Sequence, residues 1–408
     1  MAENTKKPAI RFAGFTEDWE QRKLGEVGTI TTGNTPSTAV TEYYSDDGIV
    51  WVTPTDISKN ITYETEKKLS KLGRQVGRVV PKNTILVTCI ASIGKNTMLG
   101  NTGSFNQQIN GLTPNENKYE PYFLLTESEL WSAQMKKSAA AGTMQIVNRT
   151  EFSELKTWIP TLDEQKIIGT YFRNLDNLIT LHQRKYEKLT NVKKSMLEKM
   201  FPKNGRDVPE IRFKGFTEAW EQRKLGEVVQ IERGGSPRPI DDYITDSPNG
   251  LNWVKIGDAP AQGHYITKTA EKIRPEGLSK TREVHPGDLI LSNSMSFGKP
   301  YIMGIDGCIH DGWLLIRDTN STFDLTFLCH LLGTPQMLDQ YRSLAAGSTV
   351  NNLNKELVGN TAVTIPKIDE QRVLGQYLEL LDNLITLYQR KLEKLQNIKK
   401  SMLEKMFV

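Results

Sequence analysis

The chain repeats itself, and the repetition limits what it can fold into more than any other feature. Ile10–Val27 returns as Ile211–Val228 with 16 of 18 positions identical, and Ile159–Phe201 returns as Ile365–Phe407 with 30 of 43 identical. A tandem duplication on this scale predicts two halves with one shared fold. The first repeat is offset by 201 residues and the second by 206, so the segments between them, 28–158 and 229–364, differ in length by five. Identity largely vanishes inside those segments. Landmarks survive there: Thr35-Pro36 with Ser236-Pro237, Trp51 to Asp56 with Trp253 to Asp258, Gly94-Lys95 with Gly298-Lys299, and Ala140 to Gly142 with Ala345 to Gly347.

Within the divergent segments, short β-type runs at Ile49–Thr53, Thr84–Ile90, Leu251–Ile256 and Leu289–Leu291 are broken by Gly, Pro and Asn clusters. One helical pattern closes each, near Tyr119 to Ala139 and Phe323 to Leu344, so each lobe reads as α+β. The 43-residue repeat has a different period. Ile179, His182, Tyr186, Leu189, Lys193, Met196 and Met200 follow a 3-4-3-4 spacing, matched by Ile385, Tyr388, Leu392, Leu395, Lys399, Met402 and Met406. The lysines interrupt this heptad seam; Val192 and Ile398 are expected to fill the gap while the lysine stems reach toward water. Asp163 and Asp369 are expected as N-caps, with Glu164 and Glu370 near the positive end of the helix dipole. Two helices of about 38 residues, roughly 57 Å long, follow.

The order lobe, helix, lobe, helix predicts an α+β chain with pseudo-two-fold internal symmetry, its two similar lobes separated by a pair of long antiparallel helices. The expected division is 1–158 for the first lobe with its repeat arm 10–27, 159–205 for a central helix, 206–364 for the second lobe with its arm 211–228, and 365–408 for the last helix. A solvent-laced helical bundle is the competing reading of the repeat helices.

The composition, 38% hydrophobic and 25% charged, is that of a soluble globular chain. No run of eighteen apolar residues is present and the start is polar, so neither a membrane span nor a signal peptide is expected, and the cytoplasm is the expected compartment. Cys89, Cys308 and Cys329 stand far apart, outside any zinc-binding spacing, and are expected as small buried hydrophobes.

No catalytic motif emerges. Gly94-Lys95 and Gly298-Lys299 superficially resemble a phosphate loop, but Cys89 and Asn293 occupy the place of its first glycine, and Asn96 and Pro300 replace its Ser or Thr. The five histidines, 182, 264, 285, 310 and 330, show no ligand spacing. No metal, cofactor or catalytic residue is therefore expected.

Each lobe instead carries a basic, polar stretch before its Gly-Lys strand: Lys67, Lys68, Lys71, Arg74, Arg78 and Lys82 in the first, Lys268, Lys272, Arg274, Lys280 and Arg282 in the second. Phosphates are the simplest partner for such stretches, and a solvated charged face is the alternative. Polar side chains suited to base edges accompany them. They are Thr88, Ser92, Asn96, Gln107 and Gln108 in the first lobe, with Asn293, Ser294, Ser296 and His310 in the second. With Lys71, Arg74, Lys95, Lys280, Arg282 and Lys299, these form the candidate DNA-binding set.

On the twin Ile-Pro…Asp-Glu-Gln entries (159–165 and 365–371), the Leu-Asp-Asn-Leu-Ile runs, the Gly-x-Thr/Ser-Pro landmarks, the Trp…Asp pattern and Ser-x-Gly-Lys at 92–95 and 296–299, the sequence resembles the specificity subunit of a type I restriction-modification system. That resemblance covers nearly the whole chain. It implies two target-recognition domains, each binding one half of a split site in double-stranded DNA, with antiparallel helices setting the spacer. It also implies partner methyltransferase subunits, two by the duplication, together with restriction/translocase subunits that carry the catalysis. The lobes differ where bases would be touched, so unlike half-sites are expected. Segment 28–158 carries 13 basic and 12 acidic residues, and 229–364 carries 12 and 15, so modest affinity is expected without partners. Two other readings stay open on residues alone: a self-contained restriction enzyme, and a helical scaffold whose lobes bind proteins.

Overall fold

A computed structural model of the chain describes residues 7–140, 146–203, 205–293, 297–345 and 352–408, apart from the side chains of 138–140. It divides into two compact units. One holds the described residues up to Leu181 together with Leu392–Val408, and the other holds His182–Lys391.

The units repeat one strand order. In the first, a five-stranded sheet runs Gly28–Thr32, Ile109–Pro114, Ile85–Thr88, Asn96–Leu99, Ile61–Thr62, antiparallel up to the final parallel pair. Its counterpart runs Gln230–Arg233, Trp313–Arg317, Leu289–Ser292, Pro300–Met303, Tyr265–Ile266, again with a parallel last pair. A smaller sheet centres on Tyr44–Val52 beside Lys68–Leu69 and Gly103–Phe105. The second unit builds the same sheet on Leu251–Val254, beside Glu271–Ile273 and Gly307–Ile309, and adds Arg282–Val284 at its edge.

The closing helix differs between the units. Pro121–Ala140 is one helix, but the second pattern breaks into Leu325–Leu332 and Pro335–Ala345. Thr334 restarts it: its hydroxyl accepts the Met337 amide at 3.3 Å ahead of Pro335, which has no amide to give. Most of the Ala-Ala-Gly landmarks, 141–142 and 346–347, lie outside the described residues.

The long helices are Leu162–Lys199, 38 residues, and Ile368–Met406, 39 residues. Within the second unit Lys185 meets Tyr388 and Lys193 meets Asp382; within the first, Phe172 meets Phe407 and Asp176 meets Lys399. The numbers run in opposite senses, so the helices pair antiparallel in each unit.

The repeated Met-Phe at each helix end fills a core. Phe407 stacks on Phe123 with Trp19 edge-on, and Phe201 stacks on Phe327 with Trp220 edge-on.

The seam lysines depart from expectation. Lys193 and Lys399 do not reach out to water; they are mostly buried and ion-paired, Lys193 with Asp382 and Lys399 with Asp176 and Glu129. Asp163 and Asp369 are not N-caps either, because the helices begin one residue earlier and place them inside the first turn.

Glu164 and Glu370 are buried and bolt the repeat arms to the helices. Arg11 donates to Glu164 at 2.6 and 2.7 Å, and Arg212 to Glu370 at 2.7 and 2.8 Å. The following glutamines work alike. Gln165 accepts the Glu120 amide and donates to the Pro160 carbonyl, while Gln371 accepts the Asp324 amide and donates to the Pro366 carbonyl.

Candidate nucleic-acid interface

In the first lobe the Ser-x-Gly-Lys motif closes the hairpin between strands Ile85–Thr88 and Asn96–Leu99. Thr88 donates its amide to the Lys95 carbonyl, and its hydroxyl accepts the Lys95 amide at 2.9 Å and donates to the Ser92 carbonyl. Ser292 holds Lys299 in the same way, at 3.0 and 2.9 Å. Gly94 and Gly298 adopt φ of +82° and +73°, and a Cβ on either would come within 2.8 Å of a side chain, Ser132 or Tyr341 respectively. Thr88 is thus buried in the scaffold, while the Lys95 and Lys299 side chains are exposed. Asn96 accepts from the Ser132 hydroxyl at 2.7 Å. Asn293 is also buried, donating to the Asp311 carbonyl at 2.8 Å. Ser294 and Ser296 lie outside the described residues.

In the first lobe a chain of contacts joins the remaining candidates. Lys71 and Arg74 are exposed on the short helix Lys71–Val76, which Ser70 caps by accepting the Gly73 amide. That helix leads to Arg78, whose amide donates to the Asn34 side chain, and Asn34 in turn donates to the Val76 carbonyl. Next in the chain, Thr35 donates to the exposed Gln107. Gln108 exchanges hydrogen bonds with Asn106, whose amide donates to Val52; just past Val52, the Pro54 carbonyl accepts from Lys95 at 3.4 Å. Asp56 anchors this loop by accepting the Thr53 and Glu66 amides.

The second lobe repeats the frame with other side chains. Asp258 accepts the Lys255 and Ala270 amides, as Asp56 does in the first lobe. Ser236, the partner of Thr35, donates to Asp311 at 3.1 Å instead of to a glutamine. Asp311 also takes His310 at 2.9 Å and Arg238 at 3.5 Å. His310 Nδ1 accepts the Gly312 amide, so its proton sits on Nε2, facing Asp311. Lys280 donates to the Tyr243 hydroxyl at 2.6 Å, and Arg282 stands 3.7 Å from Glu232. Lys299 lies over the Tyr301 ring, 5.8 Å from its centroid.

An open groove of about 910 Å³, lined by Arg238, Ile240, Trp253, Lys255, Glu271 and His310, runs beside this cluster. Arg238 and Lys255 were not in the candidate set drawn from sequence. Arg238 directly follows the Ser-Pro landmark, and that adjacency was the available signal.

Burial pushes the Cys89 and Cys308 thiols up to about 11, so neither is poised as a nucleophile.

A family model described as the type I restriction modification DNA specificity domain matches residues 16–191 and again 217–397. The chain belongs to this family. The type I restriction enzyme MjaVIII specificity subunit of Methanocaldococcus jannaschii is 24% identical over 403 residues, covering 95% of this chain and 91% of that one. The HindI specificity subunit of Haemophilus influenzae is 27% identical over 191 residues, 45% of this chain and 40% of that one. Among solved structures, the S subunit from M. genitalium superposes with a TM-score of 0.61 at 16% identity, covering 98% of this chain and 99% of that one. A chain from a structure reported on complex assembly and conformational transition of the type I R-M system gives 0.52 at 18% identity, covering 95% and 97%. These likenesses establish the two-lobed specificity-subunit fold, with a long helix between the two matched domains. No helix among the described residues is long and apolar enough to cross a membrane.

Proposed function

We propose that this chain is the sequence-reading subunit of a type I restriction-modification complex, with segments 28–158 and 229–364 each reading one half of a split, asymmetric DNA site. The observation that carries the reading is the shared frame with unlike faces. Both lobes hold the Thr/Ser-Pro loop against the segment after the small sheet's parallel strand, yet Gln107 in one is answered by His310 and Asp311 in the other. A common scaffold presenting different donors and acceptors is what unlike half-sites require.

The repeats support the partner assignment. Glu20–Lys23 and Glu221–Lys224 are identical and exposed at all four positions, which suits two copies of one methyltransferase subunit. Methylation, translocation and cleavage belong to partner subunits, and the near balance of charge in each lobe suits a reader whose DNA clamp those partners complete. The long helices set the spacer, and the assembly works in the cytoplasm.

Alanine variants of Lys71, Arg74, Lys95, Lys280, Arg282 and Lys299 test the reading, each assembled with its modification subunits and titrated on cognate and scrambled duplexes at two salt concentrations. Loss of a lysine–phosphate contact lowers the salt slope by about one on every sequence. Loss of Arg74 or Arg282 from a guanine costs about 1–3 kcal/mol on the cognate site alone. Wild-type affinity and slope in all six variants would remove these residues from the interface.

A further inference from the structure

Within the second unit, three potential metal donors far apart in sequence converge beside a lysine. His264 precedes the strand Tyr265–Ile266, His330 lies on the helix Leu325–Leu332, and Asp382 lies on the last long helix. Their ligand atoms all fall within 4.8 Å of one another. His264 Nε2 stands 3.0 Å and His330 Nε2 3.7 Å from the same oxygen, Asp382 Oδ2. That oxygen is buried, and apart from its pairing with His264 it has no hydrogen-bond partner. Lys193 pairs with the other oxygen, Oδ1, and its ammonium lies 3.4 Å from His264 Nε2.

The duplication supplies an internal control. In the first unit, Lys399 is held between two carboxylates, Glu129 at 2.9 Å and Asp176 at 3.0 Å. Asn60 there stands where His264 stands, since its carbonyl accepts the Met98 amide as that of His264 accepts the Ile302 amide. Thr126 stands where His330 stands, three residues after the stacked phenylalanine in each helix. By the same count Glu129 falls opposite Gly333. The second unit has therefore lost one lysine-binding carboxylate and gained two imidazoles. An ammonium gains little from that exchange, whereas two imidazoles and a carboxylate form a three-ligand set of the kind that holds zinc with one position open.

We propose that His264, His330 and Asp382 form a binding site for a divalent transition metal ion of the zinc class, occupied in exchange with the Lys193 ammonium. The ion clamps strand 265–266 and helix 325–332 to the last long helix, and Lys193, on its flexible stem, turns to solvent. The site is independent of the DNA-reading assignment, and its test needs no DNA.

Full-length chain stripped with chelator is titrated with Co²⁺ and then with Zn²⁺. The expected result is one ion per chain, with a visible cobalt absorption band that zinc abolishes. His264→Asn with His330→Thr installs the side chains that the first unit carries and should weaken binding by more than about a hundredfold, beyond the loss of an outer-sphere partner. Lys193→Met removes the competing charge and should tighten binding by about tenfold or more. Melting curves without metal report whether each variant is folded; if the double variant is not, the wild-type and Lys193→Met titrations decide. No stoichiometric uptake by the wild type, equal uptake by a folded double variant, or weaker uptake by Lys193→Met would overturn the proposal.

Discussion

Replacing Arg212 by alanine should cost the second unit far more than an ordinary surface substitution. The Arg212 side chain is 13% exposed and that of Glu370 is 3%, and the two nitrogen–oxygen contacts of 2.7 and 2.8 Å form a fork. Removing the guanidinium leaves a carboxylate buried without its counter-charge, a loss of about 3–5 kcal/mol. Against a total of about 5–15 kcal/mol that is a large fraction, and at about 2–4 °C per kcal/mol for a unit of this size it lowers the melting temperature by roughly 6–20 °C. Differential scanning calorimetry at pH 7 measures it. Arg11→Ala should do the same to the first unit, whose Glu164 is fully buried. Arg22→Ala, which breaks the exposed pair with Glu20, should leave the melting temperature nearly unchanged. Glu370→Gln added to Arg212→Ala should recover part of the loss, because the stranded charge is then gone. A cost for Arg212→Ala no larger than that for Arg22→Ala would refute the view that the arms are bolted through buried ion pairs.

Two further outcomes follow from the second unit's histidines and from the long helices. Burial lowers the His264 imidazolium, but its hydrogen bonds to Asp382 and Cys329 together outweigh this, pushing it up to about 10; burial, with the charges of His264 and Lys193, pulls His330 down to about 3. With chelator present, the stability due to His264 should be complete below about pH 6.5 and fade as pH rises toward 10. The stability due to neutral His330 should be complete above about pH 6.5 and fade as pH falls toward 3. Either slope reaches at most about 1.4 kcal/mol per pH unit. His264→Asn should flatten the alkaline limb of the urea-unfolding profile and His330→Thr the acid limb; profiles parallel to wild type would contradict this. Inserting four residues after Thr190 adds about 6 Å of helix and should lengthen the spacer by one or two base pairs of about 3.4 Å with both half-sites unchanged; methylation mapping with an unchanged spacer would exclude helices as the ruler.

The duplication was legible because identity in Ile159–Phe201 and Ile365–Phe407 is dense enough to fix both helices to within a few residues. What the repeat lysines do was not legible. A heptad pattern places Lys193 and Lys399 on the seam but carries no information on Asp382, Asp176 and Glu129, which come from other positions and other elements. The helix break at Thr334-Pro335 did have a local signal, a proline without an amide after Gly333-Thr334, that the apolar period obscured. Thr88 and Asn293 looked suited to base edges by chemistry alone, yet both are spent on backbone groups inside the lobes, because burial depends on the tertiary register. His264, His330 and Asp382 are separated by 66 and 52 residues, so no spacing rule could bring them together.

The central claim, that each lobe reads one half-site independently on a common frame, is tested most directly by exchange. Residues 28–158 are replaced by the corresponding segment of a related specificity subunit, the chain is assembled with its modification subunits, and methylated positions are mapped across a genome. One half-site should change to that of the donor while the other half-site and the spacer stay as they were. A change in both half-sites, or in neither, would contradict the account.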